Sequence, residues 1–135
     1  SANVREILII TTKRDENIFK DLLGDGSNYG IEIQYKVQKH PNGLAEAFLL
    51  GEQFIGEDPV CLILGDNIFY GLKFSKQLEK VVNRTQEGQK ATIFGYKVND
   101  PSRYGVIEYD EKGNPIFIKE KPYSKKFSSL KIFFP

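Results

Sequence analysis

The chain has 135 residues, 40% of them apolar, with 19 Lys and Arg against 18 Asp and Glu for a net charge of +1. That length and usage predict one domain with a real core, and the balanced charge gives no global field for a polyanion, the basic residues gathering only at Lys119, Lys121, Lys125 and Lys126. No apolar stretch approaches the ~20 residues of a membrane span, no charged-then-apolar leader is present, and the single cysteine excludes an intrachain disulfide framework, so the expected setting is a reducing cytoplasm.

In chain order, Glu6 to Thr11 is rich in isoleucine and alternates little, which reads as a strand buried on both faces. Glu16 to Leu23 carries Ile18, Phe19, Leu22 and Leu23 at helical spacing. The glycines of Gly24-Asp25-Gly26-Ser27 follow that helix rather than open one, so they read as a helix end and turn, not as a phosphate cradle. Gly30 to Val37 repeats the strand pattern, and Asn42-Gly43 marks the entry to a helix whose apolar stripe is Leu44, Ala47, Phe48, Leu50 and Phe54. Val60 to Leu64 predicts a third strand, with Cys61 packed inside it, and Phe74, Leu78, Val81 and Val82 form the buried side of the next helix. This β-α-β-α-β-α order over residues 4–87 implies parallel strands with right-handed crossovers. From residue 88 to 123 the pattern turns β-rich: Ala91 to Val98, Val106 to Tyr109 and Ile116 to Ile118 are separated by turn residues, which predicts an antiparallel hairpin. Residues 124–135 form a divergent tail of the same single domain.

The most informative stretch is Leu62-Ile63-Leu64-Gly65-Asp66-Asn67-Ile68-Phe69-Tyr70-Gly71. An apolar run that stops at a glycine delivers Asp66 to the C-terminal rim of a sheet, where α/β folds bind ligands and where one carboxylate suits Mg²⁺ beside phosphate. Read alone, the same aspartate serves equally well to turn the chain, and Asn67 beside it could orient it. Gln38 ends a strand with an amide that both donates and accepts, as a reader of a pyrimidine edge must, and Gly43 follows in a loop where backbone can approach a planar base. By themselves these two are also compatible with an exposed loop amide and a helix-entry turn. His40, the only histidine, has no ligand-spaced partner and reads as a loop residue.

These segments, with Gln34 to Ala47, Asn99-Asp100-Pro101-Ser102-Arg103-Tyr104-Gly105-Val106, Lys119-Glu120-Lys121-Pro122 and Leu23 to Ser27, fall in the order and spacing of one family. The chain from about Val4 to Pro122 closely resembles the glucose-1-phosphate thymidylyltransferases, which are sugar nucleotidyltransferases. The resemblance implies an α/β, Rossmann-like, three-layer nucleotidyltransferase domain, here partial, with a mainly parallel sheet and a β-rich C-terminal part. It implies transfer from dTTP to α-D-glucose 1-phosphate, giving dTDP-glucose and pyrophosphate, with Mg²⁺ as cofactor and a homo-oligomeric state. It places Gln38, Gly43 and Leu44 at the nucleobase, Asp66 at the metal and nucleotide, and Tyr104, Gly105, Glu120 and Lys121 around the sugar phosphate, with Asp66 and Lys121 closest to the chemistry.

The sequence departs from the family where it lacks the glycine-rich, arginine-bearing phosphate loop and the later segment with a second metal-binding aspartate. The isolated chain is therefore expected to be inactive, as an internal fragment of an enzyme. In the family's strand order the absent first strand would lie between Glu6–Thr11 and Val60–Leu64, leaving two unpaired edges; the apolar tail Leu130 to Phe134 is expected to fill the gap or cross between chains. A UTP-dependent sugar-1-phosphate uridylyltransferase and a non-catalytic remnant or oligomerisation module are the alternatives.

Overall fold

The computed structural model describes residues 4–86, 92–96, 105–112, 114–120 and 131–133. The chain forms two compact units, Ser1–Val60 with Ser75–Val82, and Cys61–Phe74 with Asn83–Pro135.

In the first unit, strands β1 (Glu6–Thr11) and β2 (Glu32–Val37) pair in parallel, from Glu6 opposite Glu32 to Thr11 opposite Val37. Helix α1 (Glu16–Leu23) connects them. The turn into α1 is set by Thr12, whose hydroxyl donates to the Asp15 carboxylate at 2.7 Å and accepts the Asp15 N–H at 3.2 Å. Gly24 ends the helix with a positive φ of 60°, its N–H donating to the Lys20 carbonyl. Gly26 is the tighter constraint: its φ is +86°, and a Cβ there would stand 2.7 Å from Ile33 Cγ1 and 2.8 Å from the Ile31 carbonyl oxygen. Only glycine lets this turn fold back against the next strand.

Side chains alternate across β2, and each face takes one helix. On one face the Tyr35 hydroxyl donates to the Gly24 carbonyl at 2.7 Å, pinning the end of α1, while Lys20 lies 5.7 Å from the centre of its ring. On the other, helix α2 (Glu46–Ile55) meets β1 at Gly51, where an added Cβ would already touch Leu8 Cδ2 at 3.4 Å. Ile33 is buried between the layers. The result is a helix-sheet-helix sandwich in miniature.

In the second unit, β3 (Phe94–Tyr96), β4 (Gly105–Tyr109), β5 (Pro115–Glu120) and β6 (Lys131–Phe133) form an antiparallel sheet in the order β3-β6-β4-β5. The expected hairpin is β4–β5, closed by Asp110, whose carboxylate accepts the backbone N–H of Lys112 and of Asn114 at 2.9 and 2.7 Å. Val106, at 2% exposure, is buried in this sheet. Helix α3 (Phe74–Gln86) begins in this unit with Phe74, which stacks on Phe69 at 5.4 Å and packs against Phe94 of β3 at 5.9 Å.

Four expectations need correction. Val60 to Leu64 forms no strand: no ladder reaches it among the described residues, and Val60 and Ile63 are exposed. An apolar run becomes a strand only when a neighbour accepts its backbone, whatever its β propensity. Cys61 is accordingly on the surface rather than in a core, although local desolvation still raises its thiol pKa and keeps it a poor nucleophile. The isoleucine-rich β1 is only half-buried, because among the described residues it has β2 as its single neighbour. Of the tail, the described residues Lys131–Phe133 do not join the parallel sheet but form β6, paired with β3 and β4 of the same chain.

Candidate functional site

Three groups of side chains and loops are candidates, one in the first unit and two in the second. In the first unit, β2 ends one residue before Gln38, whose backbone N–H continues the ladder by donating to the Thr11 carbonyl at 2.9 Å. Its side-chain nitrogen, Nε2, donates to Oε2 of Glu46 in the first turn of α2. The other carboxylate oxygen accepts from Asn42 Nδ2 at 2.9 Å. These two hydrogen bonds, Gln38 first, hold the Glu46 carboxyl below its ordinary pKa of 4.5. Between strand and helix, Gly43 has φ +97° with no atom within 4 Å of the place a Cβ would occupy, and the exposed Leu44 follows it. The loop thus offers an anchored amide, an open stretch of backbone and an apolar side chain, the groups needed beside a flat polar-edged ligand.

Glu46 was invisible to the reading of sequence motifs. Its signal was a spacing: a carboxylate four residues after Asn42 and eight after Gln38, at the first turn of a helix.

In the second unit, Asp66 sits with Gly65 at the centre of a turn closed by the Asn67 N–H to the Leu64 carbonyl at 3.0 Å. The carboxylate is exposed. The aspartate does turn the chain, and in doing so it is presented to solvent. Phe69, three residues on, is held between Phe74 and Phe94 and anchors the loop, whereas Ile68, Tyr70 and Leu72 point outward. Asn67 does not orient Asp66: its Nδ2 is buried without a hydrogen-bond partner among the described residues. No cluster of three or more His, Cys, Asp or Glu forms among the described residues. Asp66 offers one exposed carboxylate, which suits a cation that completes its shell with water and phosphate.

The third group lies at the open end of the β4–β5 hairpin, where Gly105 and Glu120 are cross-strand partners. Space is open above Gly105, with no atom within 4 Å of a Cβ position. Tyr104 and Lys121, the neighbours expected to complete this group, lie outside the described residues. Sequence separations of fifteen residues are closed here by strand register, so two of the four expected sugar-phosphate residues do come together.

The remaining features are structural. Gly24 to Ser27 is a helix end and turn, as read from the sequence, with the Asp25 carboxylate accepting the Ser27 N–H at 2.9 Å. A cleft beside α2, lined by Glu6, Leu8, Gln34, Lys36, Leu50 and Phe54, contains none of the candidate residues. Among the described residues no helix is long and apolar enough to cross a membrane.

A parallel β-α-β step followed by a helix, with candidate groups at the loop after the strand, defines an α/β protein of the kind that binds ligands at strand ends. The chain belongs to the nucleotidyl transferase family, whose model matches residues 1–132. It is 53% identical over 125 residues to a glucose-1-phosphate thymidylyltransferase of Neisseria gonorrhoeae, covering 93% of this chain and 42% of that protein. Among solved structures it is similar to a Bacillus anthracis protein assigned as a glucose-1-phosphate thymidylyltransferase, in complex with a sucrose (TM-score 0.72, 32% identity, 94% of this chain and 51% of that one). It is also similar to a UDP-glucose pyrophosphorylase complexed with UDP-glucose (TM-score 0.71, 25% identity, 98% of this chain and 57% of that one). The chain thus spans less than half the length of the curated relative and carries part of a Rossmann-like α/β fold. Enzymes of this family generally employ a divalent metal.

Proposed function

We propose that the complete protein carrying this chain transfers a thymidylyl group from dTTP to α-D-glucose 1-phosphate, releasing pyrophosphate and giving dTDP-glucose. The observation that carries this reading is the 53% identity, over 93% of the chain, to a glucose-1-phosphate thymidylyltransferase. In this reading Gln38 and the Gly43 backbone meet the polar edge of the base, and Leu44 covers its face. Asp66 holds Mg²⁺, which when bound neutralises charge on the reacting phosphates. Gly105 gives its open backbone and Glu120 its carboxylate to sugar hydroxyls, with Tyr104 lining the pocket and Lys121 holding the sugar phosphate as a compact cation. The sugar phosphate oxygen attacks the α-phosphorus in line and the new P–O bond forms as the bond to pyrophosphate breaks. The reading includes a homo-oligomeric state and a cytoplasmic setting.

A second reading, uridylyl transfer from UTP, is favoured by the similarity to the UDP-glucose pyrophosphorylase. Pyrophosphate release by the complete protein with glucose 1-phosphate, under competition between dTTP and UTP, separates the two. Preferential consumption of dTTP is expected; preference for UTP moves the reading to the second, and turnover of neither removes both.

A further inference from the structure

Resting on the nucleotide reading of the β2–α2 loop, we propose that Glu46 is a positioning residue that fixes the polarity of the Gln38 amide, so that this loop accepts imide bases, thymine and uracil, and rejects cytosine.

A glutamine amide alone is ambiguous, because turning it over exchanges its donor and acceptor ends. Here the ambiguity is removed from both sides. The Gln38 backbone is tied to β1 through its N–H to Thr11, so the side chain starts from a fixed point. Its Nε2 end is held by the Glu46 carboxylate, which Asn42 holds in turn through the second oxygen. An ionised carboxylate only accepts hydrogen bonds, so the reversed amide would set oxygen against oxygen. Glu46 is itself fixed at the start of α2, its N–H donating to the Gly43 carbonyl at 3.3 Å. The amide oxygen Oε1 has no hydrogen bond among the described residues and is left as the reading atom.

An acceptor left without a partner selects a donor. Thymine and uracil present N3–H between two carbonyls: Oε1 takes the N3 hydrogen, and the second hydrogen of Nε2 remains for an adjacent carbonyl. Cytosine presents an unprotonated N3, and acceptor would face acceptor. A polar site left with such a mismatch discriminates far more strongly than one that loses an apolar contact. The methyl group of thymine plays no part in this contact, so Glu46 separates the imide bases from cytosine without separating dTTP from UTP.

The test uses the complete protein with dTTP and dCTP as calorimetric titrants, and E46Q, whose amide can donate as well as accept and so releases Gln38 to either orientation. The unsubstituted protein is expected to prefer dTTP by about 100-fold or more, and E46Q to reduce that ratio by at least about tenfold, mainly through weaker dTTP binding. A second measurement needs no variant: in nucleotide-free protein labelled with ¹⁵N-glutamine, the Gln38 NH₂ signals should move with protonation of Glu46 in acid. Equal weakening of both nucleotides in E46Q would mean that Glu46 merely supports the loop, and Gln38 signals indifferent to Glu46 protonation would remove the clamp; either overturns the proposal. Binding of neither nucleotide by the unsubstituted protein would instead remove the nucleotide reading, and this inference with it, even if the NMR titration shows the clamp in place.

Discussion

Residues divide here between those that present chemistry and those that hold the chain in position. In the complete protein Asp66→Asn should lower kcat by about 100-fold or more while leaving dTTP affinity little changed, since a preorganised charge-stabilising group acts mainly in the transition state. Gln38→Ala should do the reverse, costing about 1–3 kcal/mol of dTTP affinity by leaving polar base edges unpaired. Steady-state kinetics with a direct binding titration distinguishes the two, and an Asp66→Asn enzyme of full activity at ordinary Mg²⁺ would remove the metal assignment. Gly26 is of the holding kind: with φ +86° and Ile33 2.7 Å from a would-be Cβ, Gly26→Ala should cost about 1–3 kcal/mol, read as a lowered urea midpoint. Candidate residues in short motifs, Gln38, Gly43 and Asp66, were legible because each motif couples a residue type to a local turn. Glu46 was not, because its importance depends on a helix start facing a strand end, a relation the linear chain states only as a distance between two polar residues. Asn67 was misread for the opposite reason: adjacency in sequence to Asp66 did not become a hydrogen bond in space.

Among the elements, α1 has the most explicit electrostatics. Glu16 accepts hydrogen bonds from Lys13 and Lys20, each at 2.8 Å, and these lower its carboxyl from 4.5 to about 2. The unfolded chain therefore binds this proton more readily than the folded one. Any stability Glu16 lends is complete above about pH 4.5 and is lost as the pH falls towards about 2. The pairs lie at the surface, so salt should weaken the effect. Helical circular dichroism followed from pH 5 to pH 2 should show a shallower acid limb in Glu16→Gln than in the unsubstituted chain; identical limbs would show that the pairs contribute nothing. The bounds of β1 and α1 were readable to the residue, since an isoleucine run and a helix stripe are both closed by local signals, Thr12 and Gly24. Val60 to Leu64 shows where that reading stops. Composition reports what a segment would gain from pairing, whereas the existence of a partner is a property of the whole chain.

At the scale of the molecule, length alone overstated the core. Division into two units makes each small, and a small unit buries a lesser share of its surface. Ile33 and Val106 are the buried hydrophobic residues among those described, and β1 carries Ile7 to Ile10 with a ladder on one edge. The isolated 135 residues should therefore self-associate, with a light-scattering mass above that of the 15.4 kDa chain. A monodisperse monomer would show that this edge is protected. The sheet of the second unit depends on β6. Because β6 is antiparallel to both β3 and β4, those two strands run parallel to each other with β6 between them, although only residues 97–104 connect them. So short a connection suits an antiparallel hairpin and not a parallel crossover. Among the described residues β3 and β4 are thus joined through Lys131–Phe133, so a change that costs β6 its ladder unlinks two strands rather than one.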